Sequence, residues 1–459
     1  MVYLPHTDAE RRQMLQAIGV ETIAALFEDV PERYRYPALD LPDPLSELEA
    51  LQELRYLSDI NLDAIQSPMF LGAGAYRHWV PSVVDYVISR GEFATAYTPY
   101  QPEVSQGTLQ AIFEYQSMIC DLTGMDVANA SHYDGATATA EAVIQAYNVF
   151  RKKRKKVMIS AAVHPHYREV VRTYTQGLEV EIIGDEKERP ISELLELVDD
   201  QTACVILQTP NFLGELEDLA SLADEVHTRG QDARKADRHT LLVVVTNPIS
   251  LGLLKPPGDY GADIVVGEGQ PLGLGLNFGG PYLGIYATRE EYVRELAGRL
   301  IGKAVDVEGK EGFVMTLTTR EQHIRRARAT SNICTNQGLM ALAATVYMAA
   351  LGKHGLRQVA ELNYHKAHYA ADRIDALKGF SVARAKPFFN EFVVRCPVGV
   401  SELNRYLLED VADVEIIGGY DLSRAYPQRR NQMLVAVTEM NSQAEIDMLV
   451  DALAAYRSN

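Results

Sequence analysis

The sequence contains few cysteines, and no two of them lie close together. This spacing argues against a cysteine-based zinc site and against a disulfide framework. The N-terminus has no basic segment followed by an apolar core, and no run of about 18 apolar residues occurs. We therefore expect a cytoplasmic protein without a signal peptide or an ordinary membrane span. The cysteines are Cys120, Cys204, Cys334 and Cys396.

Basic residues are fewer than acidic residues. The chain has 62 acidic and 44 basic residues and a net charge of −18. An excess of negative charge repels phosphate backbones and anionic lipids, so we expect neither a nucleic-acid partner nor a membrane partner. The basic run 151–156 is a local exception at the end of a predicted helix, and we interpret it as a solvated patch.

The length of 459 residues and the alternation of patterns predict three parts. Residues 1–65 form an N-terminal helical arm. Residues 66–305 form a large α/β domain with a mostly parallel sheet, because near-continuous apolar strands alternate with helices. Residues 306–459 form a smaller α+β domain. The predicted strands are 157–163, 180–183, 203–208, 241–246, 264–267 and 282–287, then 380–383, 391–395, 414–417 and 433–437; the predicted helices include 7–18, 45–58, 136–150, 191–198, 219–229 and 443–456.

A glycine-rich turn follows the apolar strand that begins at Ile264. In an α/β enzyme that uses pyridoxal phosphate, the lysine that binds the cofactor is expected just after such a strand. Here the turn contains Gln270–Pro271, and no lysine occurs between Lys255 and Lys303. Neither glutamine nor proline can form a Schiff base, so the sequence indicates a cofactor-site architecture without its nucleophile. Such a chain is expected to work through a partner.

Two other positions sit where a ligand crevice is expected. The segment 133–138 is a turn that leads into a predicted helix. The free N–H groups at the start of that helix suit a phosphate, although helix capping alone also explains the residue types of the segment. His164 follows a predicted strand and either stacks on a planar ring or caps the strand end. Its spacing from His166, without an acidic neighbour, does not indicate a metal site.

Two irregular segments are rich in side chains that bind ligands. Residues 97–107 combine tyrosine, hydroxyl and amide groups, which suits either a functional loop or packing at a domain boundary. Residues 319–335 are dense in arginine and then in hydroxyls, and arginine forks suit carboxylates or phosphates. The alternative for this second segment is a salt-bridged helix, with Glu321 and Arg325 four residues apart.

Taken together, these segments resemble the glycine decarboxylase (P-protein) family of the glycine cleavage system. The resemblance covers nearly the whole chain and is closest to the separate N-terminal subunit of the family's two-subunit form. The segment 319–335 is the most specific. The resembling segments are 97–107, 133–138, 208–214, 261–280 and 319–335.

The resemblance implies the fold of type I pyridoxal-phosphate enzymes, with active sites at the interface of paired chains. It implies that a homologous second subunit carries the lysine and the pyridoxal phosphate. Type I enzymes usually place an aspartate against the pyridinium nitrogen, whereas here Asn247 follows the strand 241–246. We expect a heterodimer or α2β2 assembly that decarboxylates glycine and passes the aminomethyl group to the lipoyl arm of H protein.

The resemblance also leads us to expect a set of pocket and interface residues on this chain, but no catalytic, cofactor-binding or metal-binding residue. The residues from the loop 97–107 are expected to position the substrate or the lipoyl arm, and those from 328–332 to lie near the partner's cofactor. These residues are Tyr97, Thr98, Tyr100, Glu103, Arg328, Thr330, Ser331 and Asn332.

Two other interpretations remain open from the sequence. In the first, the chain is a purely structural subunit that stabilises its partner, so changes in the loop 97–107 alter neither rate nor affinity. In the second, the chain is an independent pyridoxal enzyme that uses Lys255 or Lys303. The purified chain would then absorb as a cofactor-bound lysine does, and borohydride would trap the cofactor.

Overall fold

The computed structural model describes residues 6–231, 239–412 and 414–456. By its internal contacts the chain divides into two units, residues 1–62 and residues 63–459. The division into an arm, a large domain and a small domain at residues 65 and 305 stays a prediction.

The first unit consists of two α-helices joined by irregular chain with short 3₁₀ turns. Each helix begins at a capping box, which satisfies backbone N–H groups of its first turn. Thr7 and Glu10 form the first box, and Ser46 and Glu49 form the second. Neither helix contains a buried residue. The helices, predicted from the sequence, are α1 (Asp8–Ile18) and α2 (Glu47–Asp59).

The second unit is built on a seven-stranded sheet in the order β1-β7-β6-β5-β4-β2-β3. Strands β3, β2, β4, β5 and β6 are parallel. At one edge β7 pairs antiparallel with β6, and β1 pairs antiparallel with β7. This confirms the predicted mostly parallel sheet. The strands are β1 (Val127–Ala128), β2 (Lys156–Ile159), β3 (Glu181–Ile183), β4 (Thr202–Thr209), β5 (Leu241–Thr246), β6 (Ile264–Glu268) and β7 (Gly284–Thr288).

Hydrophobic cores lie on both faces of this sheet. In β5, Leu242 and Val244 pack into one core, while Val243 and Val245 pack into the other. The alternation follows from the two-residue period of a strand, and burial on both faces explains the continuous apolar run. The surrounding helices are α3 (Ser82–Ile88), α4 (Gly91–Ala94), α5 (Gln106–Thr123), α6 (Gly135–Val149), α7 (Pro165–Thr175), α8 (Ile191–Leu195) and α9 (Leu219–Arg229).

A β-hairpin and a long helix connect this sheet to a second one. The hairpin consists of β8 (Leu300–Val305) and β9 (Glu311–Thr316). It is followed by the one-turn helix α10 (Gln322–Arg325) and by α11 (Gly338–Asp375), which is kinked at Gly352. By length and composition α11 is the one candidate membrane span among the described residues. Its alanines, such as Ala343 and Ala370, pack into two protein cores, as in the core helix of a globular domain.

The C-terminal sheet has four antiparallel strands in the order β10-β11-β13-β12. The predicted strand 414–417 is wrong. Ile416 is buried in the core beneath a helix, and Ile417 makes only an isolated bridge to Met69, so the fourth strand begins after the following glycines. The elements are β10 (Ser381–Val382), β11 (Glu391–Arg395), α12 (Val400–Glu409), β12 (Tyr420–Asp421), β13 (Gln432–Ala436) and α13 (Gln443–Ala455).

Candidate functional site

The carboxyl ends of the parallel strands form a crevice, as expected for an open α/β sheet. Gln208 is the penultimate residue of β4, Asn247 follows β5 and Glu268 ends β6. His164 lies beyond β2, at the start of α7. These residues line a cavity of only about 30 Å³, the space of one or two water molecules. We call this cavity the strand-end crevice.

A carboxylate of the chain itself occupies the N-terminus of α6. The backbone N–H of Gly135 donates to Glu268 Oε2 at 3.0 Å. The N–H groups of Gln270 and Leu283 donate to Glu268 Oε1 at 2.9 and 3.0 Å. Burial raises the pKa of Glu268 to about 7, and the three N–H groups oppose this shift. Asp134 caps the same helix, so the capping interpretation of 133–138 fits the structure.

An aromatic side chain fills the space beside Glu268. The Tyr167 ring stacks on His164 with centroids 4.7 Å apart and planes at 25°. Its hydroxyl lies so close to Gly135 that a Cβ there would be 2.4 Å away. His164 Nδ1 accepts from the His166 N–H at 3.2 Å, so His164 also caps α7. The His164 ring thus stacks on a side chain of the same protein, and its cap is on the helix that follows and not on the strand end.

Gln270 is fully buried where a lysine would be expected in a pyridoxal-phosphate enzyme. Its Oε1 accepts from the Tyr76 N–H at 2.9 Å. Its Nε2 donates to the carbonyls of Tyr76 at 2.8 Å and Leu274 at 2.9 Å. The amide therefore ties together two backbone segments. This is a structural role that an ammonium group, which only donates, cannot fill.

Pyridoxal phosphate does not fit the strand-end crevice of this chain. A phosphate at the α6 N-terminus would meet the buried carboxyl group of Glu268. A pyridine ring on His164 would overlap the Tyr167 ring. No lysine and no carboxylate stand at positions 270 and 247 to hold the ring. The positions for phosphate, ring and nucleophile are all unsuited to the cofactor.

A larger cavity of about 240 Å³ lies elsewhere on the second unit. Tyr97 and Thr98 line it on one side, and Arg299 and Asn336 on the other. Tyr97 is 88% exposed, so its side chain packs against little of its own chain. We call this space the tyrosine cavity. An exposed aromatic ring beside hydroxyl and guanidinium groups is suited to a ligand or a partner surface.

Arg299 connects the two irregular segments that the sequence singled out. It is 5% exposed and donates to Thr335 Oγ1 at 3.0 Å, Asn336 Oδ1 at 2.9 Å and the Cys334 carbonyl at 3.0 Å. Its guanidinium carbon lies 5.7 Å from the centre of the Tyr100 ring. Among the described residues, no carboxylate forms an ion pair with Arg299. This residue was not predicted from the sequence, since a single arginine near a strand matches no motif.

Arg328 and Thr330 line a different cavity, of about 550 Å³. Its wall is basic, with Lys152, Arg294 and Arg325 besides Arg328. We call it the basic cavity. The alternative of a salt-bridged helix over 319–335 is wrong, because only residues 322–325 form an α-turn and Glu321 approaches His323 instead of Arg325.

The predicted site residues therefore fall into groups. Tyr97 and Thr98 share the tyrosine cavity, and Tyr100 borders it through Arg299. Tyr100 also meets the second segment, since its ring lies 6.0 Å from the His323 ring. The other predicted site residues, Glu103, Ser331 and Asn332, line neither the tyrosine cavity nor the basic cavity. Glu103 is exposed on a 3₁₀ turn, and Asn332 is also exposed. Ser331 Oγ accepts a hydrogen bond from the Ile333 N–H at 2.9 Å. Their roles stay predictions.

A buried carboxyl group lies beneath this second segment. Glu141, on α6, is 1% exposed. Burial raises its pKa to about 7, and the nearby Ser331 hydroxyl opposes this shift. Neither carboxylate oxygen accepts a hydrogen bond of good geometry from the described residues. A carboxyl group in such surroundings is more stable when protonated.

Replacing Glu141 with glutamine is expected to change how stability depends on pH. The folded pKa of about 7 exceeds the ordinary value of 4.5, so the folded chain binds this proton more tightly than the unfolded chain. The wild type therefore loses stability as the pH rises from about 4.5 to about 7, by at most about 3 kcal/mol. The Glu141→Gln variant lacks this loss. Urea unfolding at pH 5 and pH 8 measures it, with the exposed Glu114→Gln as control; equal pH dependence in both variants contradicts the assignment.

Comparisons with known proteins show the family of the chain. Residues 1–453 match the model of the glycine cleavage system P-protein family. The chain is 56% identical over 461 residues to the probable glycine dehydrogenase (decarboxylating) subunit 1 of Thermomicrobium roseum, and 51% identical over 459 residues to that of Bacillus mycoides. Each alignment covers 99% of both chains.

Solved structures show the same relationship. The glycine decarboxylase (P-protein) of the glycine cleavage system, in inhibitor-bound form, is similar with a TM-score of 0.88 and 44% identity over 99% of both chains. Lactobacillus brevis glutamate decarboxylase, with a TM-score of 0.66 and 14% identity over 93% of this chain and 96% of its own, shares the fold alone. The fold is that of type I pyridoxal-phosphate enzymes. The chain belongs to the glycine cleavage system P-protein family.

Proposed function

We propose that this chain is the subunit of a glycine decarboxylase that does not bind pyridoxal phosphate, and that a homologous partner subunit holds the cofactor. The observation that carries the proposal is the filled strand-end crevice. Glu268 lies where the cofactor's phosphate would bind, and Tyr167 lies where its pyridine ring would stack. Gln270 lies where the lysine that binds the cofactor would be expected. A family member whose own crevice excludes the cofactor needs a second chain to supply it. The relatives named "subunit 1" support such a pairing.

The tyrosine cavity is the part of this chain that we assign to the shared active site. Pyridoxal phosphate held by the partner would supply an electron sink for the decarboxylation of glycine. Tyr97 and Thr98 provide a ring and a hydroxyl that bind and orient the substrate or the lipoyl arm of H protein. Arg299 holds the segment 334–336 against them through its hydrogen bonds. Closure by the partner excludes water, which strengthens each of these polar contacts.

The exposed apolar residues of the arm fit an assembly of two subunits. Helices α1 and α2 contain no buried residue, yet Leu48 is 65% and Leu54 is 64% exposed. In the same unit, Leu39 and Leu41 are each 71% exposed. Large apolar side chains exposed in such numbers are typical of a surface that another chain covers. We infer a heterodimer or an α2β2 assembly, with the arm in its interface.

A purely structural subunit is the second candidate, since the arm alone accounts for stabilising a partner. The buried contacts of Arg299 favour the active-site role instead. A buried cation without a carboxylate partner costs stability, and it is retained here beneath two exposed tyrosines. The two candidates differ in one measurable respect: only the active-site role requires Tyr97 or Thr98 for turnover.

Reduction with borohydride followed by peptide mapping tests where the cofactor is bound. In the co-purified complex, we expect the pyridoxyl label on one lysine of the partner and none on this chain. The independent-enzyme interpretation predicts the label on Lys255 or Lys303 instead. The chain purified alone and mixed with pyridoxal phosphate serves as the control, because exposed lysines label weakly and without stoichiometry. A stoichiometric label on either of these two lysines overturns the proposal.

A further inference from the structure

Three metal-ligating side chains converge at the end of the sheet opposite the strand-end crevice. His227 lies in the last turn of α9, His239 lies just before β5, and Asp263 lies just before β6. The ligand atoms of all three lie within 4.8 Å of one another. Because β5 and β6 are parallel, their amino ends bring His239 and Asp263 together. The cluster is remote from the crevice and from both cavities, none of which it lines.

The spacing of the ligand atoms suits a tetrahedral ion. His227 Nε2 is 3.0 Å from Asp263 Oδ2, and His239 Nε2 is 3.3 Å from Asp263 Oδ1. In a tetrahedral zinc site with bonds of about 2.0–2.1 Å, neighbouring ligand atoms are roughly 3.3 Å apart. The ligand atoms, which lie within 4.8 Å of one another, are therefore near enough to converge on one ion when the rings adjust. Two imidazoles and one carboxylate, with an open fourth position for water, form a ligand set that zinc accepts.

The surroundings of the cluster hold the ligands in place and leave one side open. The Leu242 N–H donates to Asp263 Oδ2 at 2.7 Å, which fixes the carboxylate with Oδ1 beside His239. The Asp263 side chain is 6% exposed, whereas those of His227 and His239 are 25% and 28% exposed. A fixed carboxylate below two accessible imidazoles provides an entry path for a cation from solvent.

The two imidazole rings lie next to each other on the same carboxylate. Their centroids are only 4.1 Å apart. A neutral imidazole has one ring nitrogen with a free lone pair, so a single divalent cation can bind both rings at once. We propose that His227, His239 and Asp263 form a zinc site that ties α9 to the amino ends of β5 and β6.

No sequence pattern indicated this site. The two histidines are separated by eleven residues, and Asp263 follows much later. Our expectation of no metal ligand rested on the scattered cysteines and on the spacing of His164 and His166. Neither pattern involves these three residues, which the sheet brings together.

Zinc titration of the full-length chain, freed of metal with a chelator and followed by calorimetry, tests the proposal. We expect one zinc per chain and a raised melting temperature when zinc is present, because a ligand that binds only the folded state stabilises it. The double variant His227→Gln/His239→Gln is expected to lose at least roughly 100-fold in zinc affinity. The matched control is His354→Gln, which removes an exposed histidine of α11 and leaves zinc binding unchanged.

Each outcome of this titration is decisive. A wild-type chain that binds no zinc overturns the proposal, whatever the variants do. So does a wild type that binds zinc no tighter than the double variant, since binding at cysteines or other surface histidines persists in both. Circular dichroism of the metal-free chains confirms that the variants are folded. If the double variant does not fold, His227→Gln alone replaces it, because this partly exposed side chain lies outside the sheet.

Discussion

Replacing Tyr97 with alanine in the assembled complex is expected to lower glycine–bicarbonate exchange about 100-fold. The Tyr97 side chain is 88% exposed and lines the tyrosine cavity beside Thr98. If the ring orients the substrate or the lipoyl arm, its loss removes a positioning contact worth about 2.7 kcal/mol in the transition state. Assembly and melting temperature should stay unchanged, because an exposed ring contributes little to the packing of its own chain.

A matched control separates this effect from a general loss of surface tyrosine. Tyr86 on α3 is 62% exposed and lines none of the cavities described above. The Tyr86→Ala variant should retain the exchange rate of the wild type, and Thr98→Val should show a reduction in the same direction as Tyr97→Ala. Unchanged exchange in both cavity variants would remove this loop from the active site. It would favour the purely structural subunit.

Replacing Arg299 with methionine is expected to destabilise the chain by at least roughly 4.5 kcal/mol. Arg299 is 5% exposed and gives charged hydrogen bonds to Thr335, Asn336 and the Cys334 carbonyl. Each hydrogen bond from a charged group contributes roughly 1.5–3 kcal/mol, and methionine leaves all three acceptors without this donor. The exchange rate of the complex should fall as well, since the segment 334–336 loses its anchor beside the tyrosine cavity.

Two further variants identify the cause of that loss. Arg299→Lys keeps the charge but lacks the planar fork, so it should recover less than half of the lost stability. Arg294→Met removes an exposed arginine from the basic cavity and should change the free energy of unfolding by less than about 0.5 kcal/mol. Urea unfolding of the isolated chain measures all three. A free energy of unfolding that is the same for Arg299→Met and the wild type would contradict the anchoring role.

Features that depend on near neighbours in the chain were predictable from the sequence. The capping box of Thr7 and Glu10 predicts α1, and the apolar run Leu241–Thr246 matches β5 residue for residue. The absence of a lysine at position 270, where Gln270 stands instead, could also be recognised from the sequence, because the strand and the turn are local patterns. The start of a helix near residues 133–138 could also be predicted from local patterns.

Features that depend on distant pairs were not predictable. Tyr76 donates to Glu391 at 2.8 Å across 315 residues of sequence, and no local pattern indicates that pair. The hydrogen bond from the Gly135 N–H, at the start of α6, to Glu268 likewise joins residues that are 133 positions apart. The hydroxyl-rich run 330–335 predicted an unusual segment, yet its arrangement follows from Arg299, which lies outside it. Long-range hydrogen bonds, and not local propensity, therefore decide the shape of the site.

Glycine–bicarbonate exchange, measured with this chain, its partner and their co-expressed complex, tests the central claim most directly. Each sample is supplied with pyridoxal phosphate and lipoylated H protein. We predict exchange only in the complex, with cofactor absorbance that accompanies the partner and is absent from this chain alone. Exchange by this chain alone would contradict the account. So would a partner that reaches the full rate of the complex without it.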